Sequence, residues 1–120
     1  MHLAKRAPYN CSGGEKRAAA IASVLAMQPD VLILDEPTSD LDPRARRNTI
    51  ELLRGISSTK IIASHDIDMV FDICNRVIII DSGACMAEGD ARDILADKVL
   101  MESCGLEIPL RMQGCPICGQ

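Results

Sequence analysis

Four apolar residues run directly into two carboxylates and a proline in the stretch Val31-Leu32-Ile33-Leu34-Asp35-Glu36-Pro37. An apolar run of this length is typical of a fully buried strand, and it predicts that Asp35 and Glu36 lie at the strand's carboxyl end. One carboxylate there can hold a hydrated magnesium ion, and the other can orient or deprotonate an attacking water. Phosphate chemistry is therefore the first hypothesis. A strand that merely ends at an exposed acidic turn is the alternative, and the neighbouring segments decide between them.

A second apolar segment, residues 60–64, predicts another buried strand, which ends on His65. Between the two strands, Asp42 followed by Pro43 is typical of a helix N-terminus, and Ile50 and Leu53 predict the buried face of that helix. A strand, a crossover helix and a strand imply parallel pairing, so the paired carboxylates and His65 are expected at one edge of the sheet. Open α/β sheets bind ligands at that edge. A histidine in this place can also be an ordinary loop residue.

The segment before the first strand contains Ser12-Gly13-Gly14-Glu15. Ser12 and Glu15 form a capping box, which predicts a helix beginning at Gly13, and its apolar stripe is Ala18, Ile21, Ala22 and Leu25. A helix N-terminus presents unpaired N–H groups, and Gly13 and Gly14 carry no side chains to keep a phosphate away from them. The motif indicates an anion receptor. An ordinary serine cap with glycines tolerated for turn geometry is the alternative.

The remaining sequence predicts a further helix, two strands and a terminal helical region. The expected segments are a helix at 67–75, a strand at 77–81, a turn at 81–83, a short strand at 84–87, and helical residues capped by Gly89-Asp90, divided at Asp97 and ended by Gly105. Strands and helices that alternate in this way favour an α/β fold.

Composition limits the possible functions. The chain has 120 residues, a mass of 13.0 kDa and 48% hydrophobic residues, which predict a single globular domain at most. Aromatic residues make up 2% and the formal net charge is -4, so a nucleic-acid partner is not expected. No apolar stretch approaches the roughly 20 residues of a membrane span, and the scattered cysteines predict reduced thiols in the cytosol.

Four motifs in this order and at this spacing resemble those of the ATP-binding-cassette (ABC) ATPases. They are the signature at 11–15, the Walker B strand at 31–37, the D-loop at 39–42 and the switch-histidine loop at 64–66. The flanking residues, 6–10 and 20–29, look most like the energy-coupling-factor branch, whose members power the uptake of cobalt, nickel or vitamins. The implied fold is a partial P-loop NTPase, an α/β parallel sheet with flanking helices. Residues 1–110 are expected to form the C-terminal part of a nucleotide-binding domain, and residues 111–120 a Cys-containing tail.

The resemblance implies a nucleotide site shared between two subunits. Asp35 would hold Mg²⁺ through water, Glu36 would be the general base, His65 would contact the γ-phosphate, and Ser39 and Asp42 would couple the two sites. The signature residues would contact ATP bound to the opposite subunit: Ser12, Gly13, Gly14 and Glu15. The implied partners are a second ABC ATPase chain, in a homodimer or heterodimer, and integral membrane permease subunits. The implied location is cytoplasmic, peripheral at the inner face of the membrane.

Three features depart from the family pattern. Cys11 stands where the family usually has leucine, and Glu15 replaces the commoner glutamine. No Gly-x-x-x-x-Gly-Lys-Ser/Thr phosphate loop occurs in these 120 residues. The first hypothesis is an importer ATPase subunit that is incomplete and inactive alone, with a hydrophobic sheet edge exposed. The alternative is a non-catalytic module that supplies its signature to a partner's phosphate loop. A DNA-repair ATPase is a third reading, which the lack of a heptad run disfavours.

The end of the chain carries Cys115-Pro116-Ile117-Cys118. This spacing presents two thiolates to one metal ion and predicts half of a structural zinc site, which usually has four ligands. Cys104 or a second copy of the chain could complete the site. A redox pair and a functionally silent tail are the other interpretations.

Overall fold

The structure, a computed structural model, describes residues 11–114, and the chain divides into two units, Met1–Ser64 and His65–Gln120. The first unit contains α1 (Gly13–Leu25), β1 (Val31–Asp35), α2 (Pro43–Gly55) and β2 (Thr59–Ala63). The second contains α3 (Ile67–Ile73), β3 (Arg76–Asp81), β4 (Ala84–Asp90), α4 (Ala91–Ala96), α5 (Lys98–Ser103) and a 3-10 turn (Leu110–Met112). No helix within residues 11–114 is long and apolar enough to cross a membrane.

The first unit is built on a two-stranded parallel sheet. Strands β1 and β2 pair in parallel from Val31 opposite Thr59 to Asp35 opposite Ala63, and α2 is the connection between them. The predicted β-α-β unit is confirmed. Since both strands end at the same edge, the residues that follow Asp35 and Ala63 emerge side by side.

The prediction that both strands are fully buried was wrong. Leu32 is 3% exposed, whereas Ile33 is 74% exposed and Ile61 is 57% exposed. Successive side chains of a strand point to opposite faces, so the described part of this unit buries only one face of the sheet. A continuous apolar run is typical of a strand covered on both faces. The exposed apolar surface described here is a face of the sheet, and the exposed hydrophobic edge stays a prediction.

Both helices of the first unit begin at the predicted caps. The Ser12–Glu15 capping box is present, and the Asp42 carboxylate accepts hydrogen bonds from the N–H groups of Arg44 and Ala45, at 2.9 and 3.0 Å. On α2 the expected core residues, Ile50 and Leu53, are buried. On α1 the predicted stripe was only partly right. Among its members Ile21 is buried, Ala18 and Leu25 are half-buried and Ala22 is exposed.

The second unit is a hairpin packed against short helices. Strands β3 and β4 pair antiparallel around Ser82 and Gly83, which both have positive φ, 48° and 80°, as two-residue hairpin turns prefer. Strand β4 extends to Asp90, three residues beyond the prediction, and Asp97 separates α4 from α5 as expected. The core of this unit is apolar: Met69, Val70, Val77, Ile79, Ala91, Leu95 and Met101.

The segment that follows α5 is bound to the start of the second unit. The Leu110 N–H donates to the Asp68 carboxylate at 2.8 Å, and Arg111 forms an ion pair with Asp72 at 2.9 Å. Arg111 lies on the tail side of the predicted boundary at residue 110. This unit therefore includes at least the first residue of the predicted tail.

Candidate functional site

The backbone turns sharply at Glu36, directly after β1. Glu36 has a φ of 44°, in the left-handed region that residues other than glycine seldom occupy. Its N–H donates to the Ala63 carbonyl at 2.9 Å, which continues the ladder between β1 and β2 by one residue. The next residues, Pro37 and Thr38, are buried and anchor the turn. Such backbone strain persists only where the surroundings hold it, and it clusters at functional sites.

Three donors converge on the carbonyl oxygen of Glu36. A guanidinium N–H of Arg17, on α1, donates to it at 2.5 Å. The hydroxyl and the backbone N–H of Ser39 donate to the same oxygen at 3.0 and 3.3 Å. The second terminal nitrogen of Arg17 reaches the Ser39 carbonyl at 3.5 Å. We call residues Glu36–Ser39 the acidic turn, and it is held both from within and from α1.

The side chain of Glu36 is oriented by the neighbouring strand. Glu36 is half-buried, and its Oε2 accepts a hydrogen bond from the Ser64 hydroxyl at 3.1 Å. Ser64 follows Ala63, the residue paired with Asp35, so the strand register places Ser64 beside Glu36. Sequence reasoning assigned no role to Ser64. The signal in the sequence was Ser64 itself, a hydroxyl residue directly after β2. Strand β2 ends opposite the end of β1, where the carboxylates lie.

Asp35 presents an accessible carboxylate at the same edge. It is exposed, and with Arg17 it lines a mostly apolar cavity of about 300 Å³ between α1 and β1. Magnesium prefers oxygen ligands, keeps several of its waters and needs only one or two protein carboxylates when phosphates supply the rest. An exposed carboxylate of this kind fits a water-mediated magnesium contact. Within residues 11–114 no cluster of three or more His, Cys, Asp or Glu side chains could hold a metal ion by itself.

The N-terminus of α1 has a complete capping box and, next to it, an exposed glycine backbone. The Glu15 carboxylate accepts from the Ser12 N–H at 2.8 Å, and the Ser12 hydroxyl accepts from the Glu15 N–H at 3.2 Å. Glu15 thus closes the cap, and its predicted contact with nucleotide stays a prediction. Gly13 is exposed, and a Cβ on it would meet nothing within 4 Å. Gly13 therefore suits the anion-receptor interpretation, because its unpaired N–H can be approached closely.

Gly14 has a packing role that the sequence did not reveal. A Cβ built on Gly14 would lie 2.7 Å from the Cβ of Ala45, so a side chain there would force α1 away from α2. The signature glycines consequently differ. Gly13 leaves the helix end open, and Gly14 permits two helices of this unit to approach closely.

The other predicted site residues are spread over the chain. The Ser39 hydroxyl binds the Glu36 carbonyl, and the Asp42 carboxylate caps α2, so both have local structural partners in the first unit. His65 is exposed and is the first residue of the second unit, where Asp66 caps α3. Cys115 and Cys118 lie outside the described residues. The roles assigned to these residues stay predictions.

Sequence comparison identifies relatives of the whole chain. A family model described as ABC transporter matches residues 1–39, which include the α1 cap and the acidic turn. A protein of Geobacter sulfurreducens, named as an ABC transporter ATP-binding protein, is 55% identical over 119 residues, which are 99% of this chain and 48% of that protein. The chain is thus similar to ABC transporter ATP-binding proteins over nearly its full length. An ABC relative in Methanospirillum hungatei, named as an energy-coupling factor transporter ATP-binding protein, is 41% identical over 112 residues, 91% of this chain and 28% of that protein.

Solved structures of ABC ATPases share the fold. CbiO1 of Clostridium perfringens, described as part of the ABC transporter complex cbiONQ, matches with a TM-score of 0.72 and 37% identity. The match covers 86% of this chain and 43% of that chain. The predicted fold class, an α/β part of a P-loop NTPase domain of the ABC type, is therefore confirmed. The chain spans less than half the length of the two relatives and of this structure.

Proposed function

We propose that the chain forms the water-activating half of an ABC transporter ATPase, with Glu36 as the general base for ATP hydrolysis. The observation that carries the proposal is the acidic turn. A glutamate follows a parallel strand in a strained conformation, three donors fix its carbonyl, and Ser64 orients its carboxylate. The proposal assigns residues 1–110 to the C-terminal part of a nucleotide-binding domain and residues 111–120 to a tail.

The proposed site residues have distinct tasks in this reaction. When bound, ATP would supply the phosphoryl group that water attacks, and Mg²⁺ would neutralise the charge that develops on it. Ser64 occupies Oε2 of Glu36. The Glu36 carboxylate is the group that accepts the proton of the attacking water. Asp35 would hold the cation through water, and His65 would contact the γ-phosphate.

The N-terminus of α1 serves a nucleotide held by another subunit. The N–H groups of Gly13 and Gly14 have no acceptor within the helix, and the positive end of the helix dipole favours an anion. Ser12 uses an oxygen lone pair to accept from Glu15. Its hydroxyl proton is left for a phosphate oxygen. The proposed partner is a second ABC ATPase chain, in a homodimer or heterodimer, and Ser39 and Asp42 couple the two sites.

The transported substrate is proposed from the relatives. One relative is named as an energy-coupling factor ATPase, and one structural match is described as part of the cbiONQ complex. These names support an importer for a metal ion such as cobalt or nickel, or for a vitamin, with integral permease subunits as further partners. The ATPase then lies at the cytoplasmic face of the membrane, bound to the permease.

Nucleotide turnover tests the division of the site between chains. The 120 residues contain no lysine-bearing phosphate loop, so the loop comes from another segment or another chain. The purified 120-residue chain is therefore expected to show no magnesium-dependent ATP hydrolysis. Turnover is expected after addition of an N-terminal ABC ATPase fragment that contains the loop and has no general base of its own. Robust hydrolysis by the chain alone, lost on Glu36→Gln, would contradict this division.

The same titration distinguishes the alternative, a non-catalytic module that only lends its signature helix. In that case the mixture of the chain and the added protein binds labelled ATP, but it hydrolyses ATP no faster than the added protein does by itself. The observation that favours this alternative is the complete capping box of α1 in a chain without a phosphate loop. Turnover that depends on Glu36 excludes it.

We also propose that Cys115 and Cys118 supply two thiolates to one zinc ion, completed by Cys104 or by a second copy of the chain. Stoichiometric zinc is expected in protein purified without chelators, and Cys115→Ser is expected to lose it. Cys85→Ser, at an exposed cysteine on β4, is the matched control and should retain the metal. Lack of zinc in the unsubstituted protein would contradict this proposal.

A further inference from the structure

We propose that Arg17 is a positioning residue for Glu36, holding the acidic turn in its strained conformation from α1. This inference rests on the proposed role of Glu36 as general base. Arg17 is half-buried, and its two terminal nitrogens reach two carbonyl oxygens of the acidic turn, those of Glu36 and Ser39. It acts on the backbone that carries the base, through contacts to carbonyl oxygens.

The geometry explains why an arginine is suited to this task. The guanidinium is a planar fork of N–H donors with fixed directions, so it can bind two acceptors that lie side by side. The two carbonyls, three residues apart on the turn, form such a pair. A lysine ammonium is a single point charge on a flexible stem and binds one of the carbonyls well at the expense of the other. Two anchored carbonyls restrict the rotation of the backbone between them.

Strain at Glu36 makes this anchoring necessary. A glutamate at a φ of 44° returns to an ordinary conformation unless the surrounding contacts prevent it. The Ser39 hydroxyl and N–H help, but both belong to the same turn and can move with it. Arg17 donates to the Glu36 carbonyl from another element, α1. Ala63 and Ser64 also bind Glu36, but from the β2 side and through its N–H and its carboxylate. Loss of the Arg17 side chain therefore permits the turn to relax on its α1 side while its internal hydrogen bonds are kept.

Arg17 also connects the two functional ends of the first unit. Ser12 caps the helix on which Arg17 lies, five residues later, so about 7.5 Å of rigid helix separates the proposed phosphate receptor from the anchor of the base. A helix of this length moves as a rigid body. A shift of the Ser12 end of α1 would therefore move Arg17, and through Arg17 it would move the Glu36 backbone.

Amide hydrogen exchange tests the anchoring without any need for activity. In Arg17→Gln, peptides that cover the acidic turn are expected to exchange at least about tenfold faster than in the unsubstituted chain, because local opening costs less free energy. Peptides from α2 should exchange unchanged, which excludes general unfolding. The matched control is Lys16→Gln, which removes the same charge from the neighbouring, exposed position. Equal exchange of the turn in the two variants would overturn the proposal.

Steady-state kinetics test the consequence for hydrolysis in the assembled ATPase. Arg17→Gln is expected to lower kcat by about 10- to 100-fold with little change in the KM for ATP, since a displaced base weakens the chemical step. Arg17→Lys should recover part of kcat, and Lys16→Gln should match the unsubstituted protein. If Glu36→Gln is inactive but Arg17→Gln has the same kcat as Lys16→Gln, the positioning role of Arg17 is contradicted. The proposed role of Glu36 is then unaffected. Full activity in Glu36→Gln would instead contradict the proposed function. The hydrogen-exchange comparison would then still show whether Arg17 holds the acidic turn.

Discussion

Replacing Glu36 by glutamine is expected to lower the rate of ATP hydrolysis in the assembled ATPase by at least about 100-fold while ATP binding is retained. The substitution keeps the length of the side chain and an oxygen that can accept from the Ser64 hydroxyl, which lies 3.1 Å from the carboxylate. The contacts of Arg17 and Ser39 are made to the backbone carbonyl, so the acidic turn is unaffected. What the amide loses is the basicity needed to take a proton from water. Phosphate release under saturating ATP measures the rate, and equilibrium binding of labelled ATP measures the affinity.

Glu51→Gln is the matched control for this experiment. Glu51 is exposed on α2 and lies outside the acidic turn, so the same chemical change there should leave both hydrolysis and binding unaffected. Comparable denaturant midpoints for the two variants would show that folding is equal. Unchanged hydrolysis in Glu36→Gln would remove Glu36 as the general base and leave the acidic turn as a structural feature.

The placement of Glu36 shows how far sequence reasoning extends. Local patterns predicted the end of β1, the cap at Ser12 and the cap at Asp42, because each depends on residues within a few positions of one another. The contacts that shape the turn were not predictable in this way. Arg17 is 19 residues from Glu36, and Ser64 is 28 residues away. Such pairings depend on helix placement and strand register, which only the folded chain provides.

The wrong prediction for the burial of β1 and the unrecognised packing role of Gly14 have a related cause. The apolar run of β1 predicted a strand covered on both faces, but Ile33 is exposed in the described part of the chain. The hydrophobic pattern of a strand indicates that both of its faces need to be buried. It does not indicate which segments pack against them. Likewise, Gly14 fitted a phosphate-access interpretation, whereas the structure shows that its lack of a side chain admits Ala45. A glycine in a motif can serve packing and binding, and sequence alone does not separate them.

The adjacent glycines at the start of α1 are expected to respond oppositely to substitution. Gly13→Asp should leave the free energy of unfolding unchanged or raise it by about 0.3 to 1 kcal/mol, because a carboxylate favours the positive end of a helix dipole. Gly14→Ala should lower it by about 1 to 3 kcal/mol, because the new methyl group would lie 2.7 Å from the Cβ of Ala45. Denaturant titration of the three proteins measures both changes.

Activity should follow a different order from stability. Gly13→Asp is expected to reduce hydrolysis in the assembled dimer by about 100-fold, since a negative charge about 4 Å from a phosphate is strongly repelled where solvent is partly excluded. Gly13→Asn, which has nearly the same shape without the charge, is the matched control and should lose much less activity. A variant that is at least as stable as the unsubstituted protein and still inactive would identify the helix end as an anion receptor, because a structural cap alone predicts no such loss. Equal activity of Gly13→Asp and the unsubstituted protein would mean that the capping box serves only to begin α1.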